Sequence, residues 1–124
     1  MNSLKVSDSW SIHSKSKELA DIDRMKGLHV SFKWEDKGWG VQKGRAVVKV
    51  MNGTDEVFQI EDWSAAPHKK ETVSVMYDED HYFVKNLKAG CRFELWYARS
   101  LWVEDFSVDM LFAEGNKCDY VYSR

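Results

Sequence analysis

Short runs in which apolar and polar residues alternate, each stopped by turn chemistry, recur along this chain and confine it to β structure. Leu28, Val30, Phe32 and Trp34 alternate with His29, Ser31, Lys33 and Glu35. A strand sends successive side chains to opposite faces, so this period of two gathers four large apolar groups on one side. The same reading predicts strands over 45–51, 57–63, 72–77, 82–87, 91–99 and 102–112, with edge strands at 4–13 and 120–122. In the strand at 91–99, Cys91, Phe93, Leu95 and Tyr97 share one face and leave Arg92, Glu94 and Trp96 to the other. In the strand at 102–112, strict alternation groups Trp102, Phe106, Val108, Met110 and Phe112 against Val103, Asp105, Ser107, Asp109 and Leu111.

The breaks between these runs have their own chemistry. Asn52-Gly53 is a hairpin signal, because both residues tolerate the positive φ of a type I′ turn. The loop 36–44 carries glycine at 38, 40 and 44, which lets the backbone take left-handed or closely packed conformations. Pro67 interrupts the chain, since it donates no ladder hydrogen bond. Only one stretch has helical spacing: Leu19, Ile22 and Met25, with Ser16 placed to cap, allow one short helical turn near 16–25, the favoured reading, or an irregular crossover. About eight strands joined by turns predict an all-β chain, an antiparallel β-sandwich or jelly roll.

A length of 124 residues fits one hydrophobic core, so a single domain over 1–124 is expected. Eighteen Lys and Arg oppose twenty Asp and Glu. That balance argues against nucleic acid as a partner, because neutralising phosphates needs a basic surface. Neither an apolar leader nor a run of 18 apolar residues occurs, which points to a cytoplasmic protein with no membrane span. In that compartment Cys91 and Cys118 are expected as two reduced thiols.

Signatures of catalysis are missing: there is no Gly-x-Ser-x-Gly, His-Glu-x-x-His, Cys-x-x-Cys or phosphate loop. Asp78-Glu79-Asp80 lacks the spacing of a calcium loop. The expectation is a non-enzyme with no metal and no cofactor.

The aromatic strand running into Asp36-Lys37-Gly38-Trp39-Gly40, the Lys43-Gly44 that restarts a valine strand, the Ala66-Pro67-His68 loop and the closing segment from Leu101 to Met110 together resemble a galactose-binding-like jelly roll. The resemblance spans roughly residues 26–112. It implies a lectin-like module in which an indole face packs on the C–H face of a sugar and polar groups fix the hydroxyls. The calcium-stabilised loop used by several such modules has no match here. Carried onto this chain, the resemblance makes Trp39, Asp36, Trp63, His68 and Arg99 the candidate ligand-binding residues for a carbohydrate or glycoprotein. The plainer alternative has Trp39 and Trp63 folded back to plug one end of the sandwich. Trp96, with Arg92 and Arg99, marks a second face able to meet a ligand or a protein. The rival function is protein–protein interaction or self-assembly into a homo-oligomer through exposed aromatics and edge strands.

Overall fold

The computed structural model describes residues 10–19, 25–38, 44–98, 101–112 and 118–121. Its strands are β1 (Ser11–Lys15), β2 (Met25–Asp36), β3 (Arg45–Asn52), β4 (Asp55–Ile60), β5 (Glu71–Asp78), β6 (Cys91–Ala98), β7 (Leu101–Phe112) and β8 (Cys118–Val121), with one helical turn, α1 (Tyr82–Lys85). Two antiparallel sheets result, in the orders β1-β6-β3-β4 and β5-β2-β7-β8. They face each other across one core, which is the sandwich that the alternation predicts.

The predicted inward faces are the buried ones. Leu28, Val30, Phe32 and Trp34 of β2 meet Ala46, Val48 and Val50 of β3 and Phe93 and Leu95 of β6 in this core. Phe32 is wedged edge-on between two indoles, Trp34 at 5.4 Å and Trp63 at 5.2 Å. Burying such a ring is worth roughly 2–3 kcal/mol. Both indole N–H groups are satisfied: Trp34 donates to Glu71, and Trp63 donates to the Ala46 carbonyl of β3.

Strand β7 departs from strict alternation. Asp105 has φ 58°, in the left-handed region. Opposite it the β2–β7 register slips, from Ser31↔Ser107 to Lys33↔Glu104. One extra residue on β7 is a β-bulge, and it reverses the parity of everything beyond it. Leu101 and Val103 therefore face the core on one side of the bulge, and Phe106, Val108 and Met110 on the other. Trp102 does not share the face of Phe106; it turns outward, under the Lys70 ammonium at 4.7 Å.

Three local expectations are corrected. The hairpin closes as a two-residue Gly53-Thr54 loop, with Asn52 paired to Asp55 and only Gly53 at positive φ, the pattern of a II′ turn and not I′. Residues 82–87 do not form a strand: the His81 imidazole accepts from the Phe83 N–H and caps α1. The helical turn expected near 16–25 is absent from its described residues. Ser16 and Leu19 instead donate their backbone N–H groups to Phe93 and Cys91, which keeps the chain along the edge of β6. Residues 20–24 of that expectation lie outside the described residues, as do 4–9 of the predicted first strand. No helix among the described residues is long and apolar enough to cross a membrane. Cys91 is a buried free thiol, and the side chain of Cys118 lies outside the described residues.

Candidate functional site

Strand register brings the loops named from the sequence to one end of the sandwich. Asp36 at the end of β2 pairs with Leu101 at the start of β7, while Arg45 at the start of β3 pairs with Ala98 at the end of β6. Gly44 and residues 66–68 join them: Ala66 donates to the Gly44 carbonyl, and Asp36 to the Pro67 carbonyl. Trp39 and Arg99 lie outside the described residues.

Asp36 is bound to its own chain at this end. It is 5% exposed, and its two carboxylate oxygens accept from the Gly38 and Gly44 amides at 2.8 and 3.1 Å. Its carbonyl also lies 3.0 Å from His68 Nδ1, so the two loops are laced together. Gly44 has to be glycine, because a Cβ there would stand 2.7 Å from the Leu101 side chain. Trp63 is half-buried against the core, the arrangement of a plug. Of the five candidates, His68 is the one described residue that is exposed at this end.

A second constellation covers the outer face of the β1-β6-β3-β4 sheet. The register places Arg45 beside Ala98, Val47 beside Trp96, Lys49 beside Glu94 and Met51 beside Arg92, with Ile12 of β1 flanking Trp96. Glu94 is the centre of this face. It is 4% exposed and accepts the Trp96 indole N–H at 3.0 Å through one oxygen. Its other oxygen accepts from Arg92 Nε at 2.8 Å, and a second Arg92 nitrogen lies at 2.8 Å. Arg92 also donates to the Gly53 carbonyl, which ties the network to the hairpin turn. The Lys49 ammonium sits 4.4 Å from the Trp96 ring centre and 3.6 Å from Glu56.

At the other side of the face Arg45 grips Glu61 with two hydrogen bonds, at 3.0 and 2.6 Å, and lies 5.4 Å from the Trp10 ring. Such forked pairs hold long side chains in one geometry. The face is therefore a rigid platform of indole, guanidinium, ammonium and carboxylate. The sequence reading placed Arg92, Glu94 and Trp96 on one face of this strand and missed that Lys49, Arg45 and Glu61 join them.

The acidic turn at 78–80 is used internally: Asp78 accepts from the Asp80 amide, and Glu79 pairs with Lys26. Among the described residues no three His, Cys, Asp or Glu side chains are grouped to hold a metal ion. No family model, curated protein or solved structure matches this chain.

Proposed function

We propose that this chain is a binding module of the lectin type, and that its carbohydrate lies on the outer face of the β1-β6-β3-β4 sheet. The carrying observation is the Trp96 platform: an indole ringed by Lys49, Glu94 and Arg92, each held by a partner. A sugar needs an apolar surface for its C–H face and fixed donors and acceptors for its hydroxyls. Trp96 supplies the first. Lys49, Gln59, Arg45 and Glu61 supply the second on the neighbouring strands. The Lys49 ammonium covers the indole, and a sugar reaching the ring displaces it toward Glu56, where its charge stays paired. This reading keeps the ligand class implied by the galactose-binding-like resemblance and moves its centre from the loops to the sheet.

Affinity electrophoresis against a panel of soluble polysaccharides, followed by calorimetry on any that retard the protein, tests it. Trp96→Ala is expected to weaken binding by about tenfold or more, a loss of about 1.4 kcal/mol, while leaving the melting temperature close to the parent's. Retention of full affinity by this variant, or a parent that binds no glycan, overturns it. One observation favours self-assembly as the second reading: β1 and β4, the outer strands of this sheet among the described residues, carry exposed Ile12 and Val57. A dimer by size-exclusion light scattering that Val57→Lys abolishes is its expected signature.

A further inference from the structure

The outer face of the opposite sheet carries a different chemistry, which the binding reading does not use. On three adjacent strands Ser74 of β5, His29 of β2 and Asp109 of β7 form a line. The Ser74 hydroxyl is 2.6 Å from His29 Nε2, and His29 Nδ1 is 3.2 Å from Asp109 Oδ2. An ionised carboxylate only accepts, so a hydrogen bond with Asp109 puts the imidazole proton on Nδ1. Nε2 then holds the lone pair and Ser74 must donate to it. That order of donors is the one a general base needs to activate a hydroxyl.

We propose that Ser74 is an activated nucleophile toward small acyl esters, with His29 as its general base and Asp109 as the positioning residue. Two features support the assignment. His29 and Asp109 stand on β2 and β7, paired over most of their length, so the base is fixed, whereas Ser74 is exposed on the edge strand β5, where an ester can reach it. Asp109 Oδ1 is buried with no hydrogen-bond partner among the described residues, so the side-chain bond they give this carboxylate is the one that orients His29. Met76, 60% exposed and opposite His29 in register, offers an apolar bed for the acyl group. Ser31, directly opposite Ser74 and bonded to Ser107 at 3.0 Å, places a second hydroxyl on the same face.

In the reaction the Ser74 oxygen bonds to the acyl carbon as its proton passes to His29 Nε2. The adduct collapses by breaking the bond to the alkoxide, which leaves with that proton. Water, deprotonated by the same nitrogen, then adds to the acyl-serine. Cleavage releases the carboxylic acid and returns the proton to Ser74.

The test is reaction of the full chain with a fluorophosphonate probe, read by peptide mass spectrometry. The expected result is an adduct on Ser74 and none on Ser31 or Ser107, formed about a hundredfold more slowly in His29→Gln and at the parental rate in Thr72→Ala. Labelling of the native chain that does not prefer Ser74, or a His29→Gln rate equal to the parent's, overturns the proposal. The selectivity among the three serines needs no substitution, so it decides even where a variant fails to fold. The role of Asp109 is read separately from imidazole 15N shifts. The parent is expected to hold the proton on Nδ1 and Asp109→Asn to move it toward Nε2; a parent already protonated on Nε2 overturns the assignment.

Discussion

Two carboxylates, Glu94 and Asp109, occupy equivalent places on opposite outer faces of the sandwich, and they are treated very differently. Glu94 has both oxygens engaged, by Trp96 on one and by Arg92 on the other. Asp109 has one oxygen on His29 and the other buried without a partner among the described residues. A fully satisfied polar network rigidifies what it connects; a half-satisfied one stores electrostatic cost in the group that orders its neighbour. The face around Glu94 is thus fully satisfied, while the row through Asp109 keeps an acceptor unmet among the described residues.

The largest effect expected from this contrast is at Glu94. Glu94→Ala leaves the Arg92 guanidinium and the Trp96 N–H without their acceptor, at a cost of about 2–3 kcal/mol, measured as a lower urea midpoint at unchanged slope. Asp109→Ala is expected to cost about 1 kcal/mol or less, because the lost bond to His29 is offset by removal of the orphaned oxygen. Equal losses in the two variants would break the comparison.

The smallest effect concerns His13, at the seam where the two sheets meet. It stacks edge-on to Tyr97 of the first sheet and hydrogen-bonds the Val103 backbone of the second. Burial pushes its imidazole below the usual histidine range, while the Val103 bond and the Glu104 carboxylate pull it back. The folded chain therefore takes up this proton less readily than the unfolded chain does. Its stability contribution is full above the unfolded value of 6.5 and is lost as pH falls from there through the lower folded value. His13→Phe is expected to flatten that part of the stability profile, read as urea midpoints between about pH 5 and 7; an unchanged slope would show that the seam does not sense the proton.

The inner half of this structure was legible before any coordinates. Alternation at 28–34 and 91–95 and the valine run at 46–50 named the buried residues of β2, β6 and β3, because a sandwich core obeys the strand period and its most buried strands read as apolar runs. Strand β7 was not, since the bulge at Asp105 resets the count and a period of two read through it assigns Trp102 to the wrong side. Residues 82–87 were misread because a single turn is too short to display a helical period. At 16–19 the spacing left a helical turn and an irregular crossover both open, and the carbonyls that decide for the latter belong to Phe93 and Cys91, far along the chain.

The outer face of the β1-β6-β3-β4 sheet was half-visible. Arg92 and Trp96 follow from parity within β6, but the placing of Lys49 beside Glu94 depends on the register of β3 against β6, which no single strand encodes. One signal was present and unused: Asp36-Lys37-Gly38 is an Asx-turn pattern, in which an aspartate accepts from the amide two residues on. Read that way, Asp36 belongs to the loop's architecture before it belongs to a ligand.

That aspartate has a consequence for anyone wishing to re-engineer the domain. By gripping the amides of Gly38 and Gly44, it staples the two ends of a segment together irrespective of what runs between them. A redesign of this end of the sandwich therefore has to keep the carboxylate, because a shortened or neutral side chain at 36 releases both glycine amides at once.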